Sequence, residues 1–348
     1  MSNLPPSGEI PRGAIRFNTD SNKPELWDGS QWAEFQLSTP NLGRGVDTEP
    51  GARGIFAGGD GAPLFSVTND TIDYINISST GDAKDFGNLT TGKNGLNSGA
   101  CSSSTRGITF GGNTNPANVN EIRFINISST GGDSNFGTLD ASKRQTSSVS
   151  NQTRGVVAGG TPTGATDLDY ITIASTGNGV DFGGSLVAGK DGAAGLSSPT
   201  RGIFAGGGTP TNPNFNETSL DFITIATLGA AQSFGDLSIA RHVIAGISNV
   251  TRGLCGGGLD PGVVNIIEYV TIASLGNAIN FGDLTIAKRS VNGCASPTRG
   301  IFAGGASPDK RNEIEYINIQ TQGNTVDFGD LTEARMEHTS FSNAHGGL

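Results

Sequence analysis

Cysteine is nearly absent from this chain, with 3 in 348 residues, so a disulfide framework is excluded. Histidine is as scarce, and His242, His338 and His345 show neither the spacing nor the carboxylate company of a zinc site. No apolar run approaches the roughly twenty residues that span a bilayer, and no signal-peptide pattern is present, so neither membrane insertion nor secretion is expected. Basic residues are outnumbered 22 to 32, and a formal charge of −10 argues against nucleic acid as a partner. No segment sustains a helical period, which sets aside helical and α/β architectures. Catalytic signatures are missing too: there is no Gly-x-Ser-x-Gly elbow. Residues 87–94 and 184–191 approach a phosphate loop but lack the Ser or Thr after the lysine, and no helix follows them. The expectation is a non-enzymatic protein with no cofactor and no metal.

Glycine, in contrast, makes up 54 residues, about twice its usual share. Much of the excess lies in a motif that occurs six times: Arg-Gly, a short apolar run and a glycine pair, beginning at Arg53, Arg106, Arg154, Arg201, Arg252 and Arg299. The arginines are 53, 48, 47, 51 and 47 residues apart, a period that belongs to repeat architectures. A β-branched segment with a central aromatic follows each motif, at 72–77, 122–127, 168–173, 220–225, 267–272 and 314–319. A Phe-Gly comes next, at Phe86, Phe136, Phe182, Phe234, Phe281 and Phe328. With the apolar stretch before each Arg-Gly, every unit has four strand-like segments: A before Arg-Gly, B from Arg-Gly to the glycine pair, C the β-branched run and D the Phe-Gly run. Thr-Gly or Leu-Gly turns, such as Ser79-Thr80-Gly81, join C to D as tight hairpins.

Four short strands in each of six units, at roughly 40 to 50 residues per unit, predict an all-β, six-bladed β-propeller. The first unit lacks an A segment, and the chain ends on an A segment with no B after it. A shift of 47 residues places Phe341 on Cys294 and Gly346 on Arg299, so residues 337–344 should pair with residues 54–58 and close the ring. Cys101 and Cys294 fall where other units have Val149, Leu196 and Ile247, and they read as buried A-strand hydrophobes, with Cys255 in a B strand. The sequons at Asn76 and Asn126 recur with the repeat and read as strand composition.

The glycine pair ending the second strand, with aromatics in the third and fourth, resembles kelch-type propellers, although Phe-Gly replaces their usual fourth-strand tryptophan. Strings such as Glu268-Tyr-Val-Thr-Ile-Ala-Ser, Asn280-Phe-Gly-Asp-Leu-Thr and Ser296-Pro-Thr-Arg-Gly-Ile-Phe-Ala-Gly-Gly resemble the repeats of virion structural proteins of tailed phages, cyanophages above all. That resemblance covers about residues 43–348. It implies a virion location after synthesis in the host cytoplasm, in several copies or as a homo-oligomer, a trimer being one arrangement.

Residues 1–42 are of another kind. Three short strand signals separated by turn residues form a β-meander that carries both tryptophans, Trp27 and Trp32. A meander this small buries little surface alone, so it should dock on another surface, whether an end of the propeller, a symmetry mate or another protein. It resembles the short adaptors of phage tail-fibre proteins, which implies that Trp27 and Trp32 serve virion attachment through contacts with other virion proteins.

Within residues 43–348, variation between units is the guide to recognition. The glycine pair and the charged residue before the C-segment aromatic are 13, 10, 8, 13, 9 and 9 residues apart, and the two long B–C loops carry Phe65 with Asn69 and Phe215 with Asn216. Aromatics in polar loops on a rigid scaffold suit a host-surface glycan or protein receptor. The repeated arginines allow two readings, a cationic ring for an anionic partner or scaffold bonds to turn carbonyls and acids such as Asp85, Asp181 or Asp327. Faithful repetition favours the scaffold. The function expected is a tail fibre or appendage component presenting its loops to the host, with a capsid or tail decoration or connector protein as the alternative. A glycan-active enzyme is disfavoured because no acid pair breaks the repeat.

Overall fold

The computed structural model describes residues 10–18, 23–34, 52–61, 67–162, 166–209 and 216–348, and the chain divides into two compact units, Met1–Thr48 and Glu49–Leu348. The first unit holds an antiparallel meander of Ile15–Asn18, Lys23–Trp27 and Trp32–Glu34. Asp28 closes its second turn by accepting the Ser30 and Gln31 main-chain N–H groups. Trp27 is buried and its ring meets that of half-buried Trp32 at 5.5 Å. Arg16, ion-paired with buried Glu25, lies 4.3 Å over the Trp32 ring.

The second unit is a six-bladed β-propeller. Each blade is a four-stranded antiparallel sheet in the order A-B-C-D, and no helix occurs among the described residues. Blades two to six take their strands from consecutive sequence. Blade one takes its A strand, Thr339–Ser342, from the chain's end and pairs it with Arg53–Ala57, in the register Thr339↔Ala57 to Ser342↔Gly54. The closure expected from sequence is the one observed, and Phe341 faces Ile55 as Cys294 faces Ile301.

Strand alternation explains the core. In Arg53–Ala57 the side chains of Ile55 and Ala57 join Ile125 and Ile127 of blade two, while Phe56 points the other way to Cys294, Ile301 and Ala303 of blade six. Each hydrophobic cluster therefore fills a seam between neighbouring blades, and the seam between blades six and one is built like the rest. At roughly 25 cal/mol per Å² of apolar surface, the seams are the main source of stability.

The glycine of Arg-Gly has a steric cause. A Cβ on Gly107 would stand 1.9 Å from the Phe341 ring, and one on Gly155 would stand 2.4 Å from Cys101 Sγ. The A-strand hydrophobe of one blade thus rests on the bare B-strand glycine of the next. Cys101, Cys255 and Cys294 are free and buried, and burial pushes their thiols up, Cys255 to about 12.

Antiparallel pairing places the A–B and C–D turns on one face, which we call the turn face. The B–C loops and D–A crossovers emerge on the other, the loop face.

Candidate functional site: the axis and the loop face

The repeated polar residues bond one blade to the next. Each Arg-Gly arginine lies over the C-strand aromatic of its own blade, for example Arg106 at 4.5 Å from Phe124, and donates to a carbonyl at the end of the next blade's C strand. The bonds run from Arg53 to Ile127 O, Arg106 to Ile173 O, Arg154 to Ile225 O, Arg201 to Ile272 O and Arg252 to Ile319 O, and Arg299 closes the circle on Ile77 O. Of the two sequence readings, the carbonyl scaffold describes these arginines. Asp85 and Asp181, offered as acid partners, accept main-chain N–H groups two residues on. A parallel circuit explains Phe-Gly and the Thr-Gly or Leu-Gly turns. The turn glycine's N–H donates to the Phe carbonyl of the preceding blade, from Gly131 N–H to Phe86 O at 2.8 Å round to Gly81 N–H and Phe328 O.

A third circuit was not read from the sequence. Each D–A crossover sends a buried cation under the next blade's C strand. Lys93 meets Glu121 at 2.8 Å, Lys143 meets Asp167 at 3.2 Å, Arg241 meets Glu268 at 2.8 Å, Lys288 meets Glu315 at 2.6 Å and Arg335 meets Asp73 at 2.8 Å. Lys190 instead bonds Ser219 O at 2.7 Å, with Asp221 at 4.0 Å. Burial pushes the Glu315 carboxyl up, but Lys288 and the bonds from Thr325 and Thr285 outweigh it and hold it below the ordinary value. The signal was present in the sequence, as the lysine or arginine ending each crossover and the acid before the C-strand aromatic. Blade two puts Arg123 in the acid's place, and it pairs with Asp133 at 2.8 Å.

Two further rings surround the axis. On the turn face, the A strands end in Ser102, Ser150, Ser197, Ser248, Ala295 and Ser342, and hydroxyls bridge adjacent strands: Ser150 Oγ accepts Ser102 N–H and donates to Ser102 O. Ala295 is the one position without a hydroxyl. On the loop face, every crossover places a left-handed residue in register, Gly95, Gln145, Gly192, Val243, Ser290 and Glu337, with φ between 49° and 63°, and the first crossover has a second, Asn97, at 44°. Main-chain bonds link them in sequence, Gln145 N–H to Gly95 O, Gly192 N–H to Gln145 O and onward, and Leu96 N–H to Glu337 O completes the circle.

Between the two rings runs an axial cavity of about 60 Å³, lined by serines and main chain and bordered by Cys101, Cys294, Phe341 and His345. The end of the chain occupies its turn-face opening. A Cβ on Gly346 would stand 2.3 Å from Ser197 O, and one on Gly347 would stand 1.8 Å from Ser150 O, so only glycine fits this path. His345 Nε2 donates to Ser102 O at 2.9 Å and its Nδ1 accepts Gly347 N–H at 3.0 Å. This pair of bonds requires the neutral imidazole. Burial lowers its pKa to about 4.

The expected recognition residues divide into two groups. Phe65 and Phe215 lie outside the described residues. Asn69 is buried, donates to Glu333 Oε1 at 2.7 Å and accepts Thr71 N–H at 2.6 Å, so it joins blade one to the preceding crossover. Asn216 is half-buried and clips blade four to blade five through Leu259 O at 3.1 Å and His242 Nδ1 at 2.6 Å. Both asparagines position loops. Trp27 and Trp32 sit together in the meander, as described above. Among the described residues, no group of three or more His, Cys, Asp and Glu side chains is placed to hold a metal ion. No protein-family model matches this chain, and no curated protein sequence matches it.

Proposed function

We propose that the chain is a non-enzymatic virion protein of a tailed phage. Its N-terminal segment joins other virion proteins, and its propeller presents the loop face to a host-surface glycan or receptor. One observation carries the reading. The repeated polar side chains are consumed by bonds between blades, whereas the loop face collects what differs from unit to unit: B–C spacing from 8 to 13 residues and an unrepeated set of charges around the axis. The resemblance of the repeat strings to virion proteins supplies the biological setting. A rigid disc with one uniform and one variable face suits recognition.

Decoration or connection of capsid or tail is the second reading. It is favoured by exposed apolar residues on the outermost D strands, Val180, Ile279 and Val326, which offer a rim for a neighbouring protein. Cryo-electron microscopy of intact particles separates the two. A propeller held away from the shell supports attachment, and one seated on capsid or tail through its rim refutes it. Competition adds a functional test: purified propeller should block adsorption, and alanine at both Phe65 and Phe215 should weaken that block.

A further inference from the structure

The main chain of the turn face repeats, but two neighbouring blades differ from the others in side chain. The residue before the C–D turn glycine is Thr80, Thr130, Thr176 and Gln322 in blades one, two, three and six, but Leu228 in blade four and Leu275 in blade five. The middle of the A–B turn is Ser104, Gln152, Pro199 and Pro297 in blades two, three, four and six, but Val250 in blade five. With Ile279, which opens the D strand of blade five, these residues are 51%, 61%, 52% and 57% exposed. They are four of the ten large hydrophobics exposed among the described residues, gathered on one sector of one face. Gly276 N–H donates to Phe234 O at 3.0 Å and Ala278 N–H to Asp236 O at 2.8 Å, so the turn that carries Leu275 lies on the D strand of blade four. Beside Leu228 opens a cleft of about 200 Å³, lined by Phe182, Phe222, Thr227 and Gln232 among others, none of them charged.

Charge is absent from the same sector. From the end of the C strand to the Phe of Phe-Gly, residues 225–234 and 272–281 hold no acid and no base. The corresponding segments of the other four blades carry Asp82, Lys84 and Asp85, then Asp133, Asp181 and Asp327. The arginines of these two blades are committed to the scaffold, Arg201 on Ile272 O and Arg252 on Ile319 O and Gln320 O.

We propose that a second copy of this chain docks here, in a two-fold contact in which Leu275 and Ile279 of each copy fill the cleft beside Leu228 of the other. A chain with a formal charge of −10 meets its own copy with least repulsion where both surfaces are uncharged, and the other sectors would set aspartates against one another. In a two-fold contact the same patch must supply both the projecting and the receiving part, and blades five and four supply them side by side. Thr227, Gln232, Asn277 and Asn280 give the apolar centre the polar rim of an interface. Four aliphatic side chains fall short of the roughly 800 Å² per partner of a standard interface, so the dimer should be weak in free solution. The contact is independent of whether the propeller serves attachment or decoration.

Sedimentation equilibrium of the full chain from about 1 to 300 µM tests it, the range suited to a contact below standard size. The repeat supplies the variants, because other blades carry Thr where Leu228 and Leu275 stand and Asp where Asn280 stands. The parent should pass from monomer to dimer as concentration rises. Leu228→Thr combined with Leu275→Thr should weaken dimerisation by about tenfold or more. Asn280→Asp should weaken it at low salt and less at high salt, and every variant should melt like the parent. A parent that stays monomeric throughout overturns the proposal. A dimer that the Leu→Thr pair leaves unchanged places self-association elsewhere and overturns this surface. A monomeric parent whose Leu228 and Leu275 lie against a different protein in the intact particle overturns the choice of occupant.

Discussion

Acid should unseat the end of the chain from the propeller axis. His345 is held on both ring nitrogens, Nε2–H on Ser102 O and Nδ1 under Gly347 N–H. A second proton on Nδ1 would face another N–H, so protonation removes one bond and sets two donors against each other. The structure holds the pKa at about 4, through burial opposed by the bond to Ser102 O, against an unfolded value near 6.5. The unfolded chain therefore takes up the proton first. The stabilisation is complete above about pH 6.5 and is lost progressively as pH falls to about 4. The full shift corresponds to roughly 3 kcal/mol at 1.36 kcal/mol per unit. His345 as a residue is half-buried, which brings the expected figure to about 2 kcal/mol.

The comparison that isolates this group is His345→Gln, because a glutamine amide offers one donor and one acceptor and does not titrate. Urea unfolding of both proteins at about pH 7 and about pH 4.5 should show the parent losing about 2 kcal/mol more than the variant. Circular dichroism is the suitable probe, since both tryptophans lie in the N-terminal unit and the four tyrosines lie in C strands. The imidazole resonances should show the His345 ring staying neutral down to about pH 4, alongside fully buried His338, which burial also holds well below its ordinary value. Equal acid losses in parent and variant would refute the argument, as would a His345 that titrates near its free value.

Other perturbations probe the seams. Phe341→Ala empties the place where blade one rests on Gly107 and should cost about 3–5 kcal/mol in urea unfolding. Arg335→Met alone strands the fully buried Asp73 and should cost about 3–5 kcal/mol, and adding Asp73→Leu should recover much of that loss in a double-mutant cycle. Ala295→Ser supplies the hydroxyl missing from the serine ring opposite Ser248 N–H and should raise stability by about 1 kcal/mol. Deletion of residues 1–42 should leave a propeller that melts as before but no longer enters the particle, measured by its copy number in purified virions.

The propeller was legible because its constraints recur. Arg-Gly is spaced by the width of a blade, and six copies of one steric demand, an A-strand hydrophobe on a bare glycine, leave a pattern no single copy would show. Ring closure was legible for the same reason: Phe341 occupies the position of Cys294 in the register. The buried cation circuit escaped the sequence reading although it also recurs. Its ion pairs lie 24 to 28 residues apart in four blades and alternate between Lys and Arg, Asp and Glu, and in blade two Arg123 replaces the acid. Asn69 and Asn216 show the converse difficulty. Polar residues in a long loop suggest an open surface, but their amides are bonded to the next blade or to the preceding crossover.

Repetition also decides where function can reside. A side chain present in every unit can be used once per blade, and the arginines, the glycines and the buried cations are all used to hold neighbours. A position can serve a ligand without weakening the ring only where the repeat imposes a main-chain geometry and leaves the side chain open. The six residues that precede the left-handed ring meet the main-chain half of that condition, and half-buried Arg144 and Arg289 meet both halves, whereas Asn94, Asp191 and Met336 are buried and His242 is bonded to Asn216. Their backbones are fixed by bridges and by the left-handed ring, while their side chains run from Asn to Arg, Asp, His, Arg and Met. The same backbone rigidity that makes the disc uniform therefore holds side chains of five kinds in register around one axis, which is the arrangement an asymmetric ligand requires.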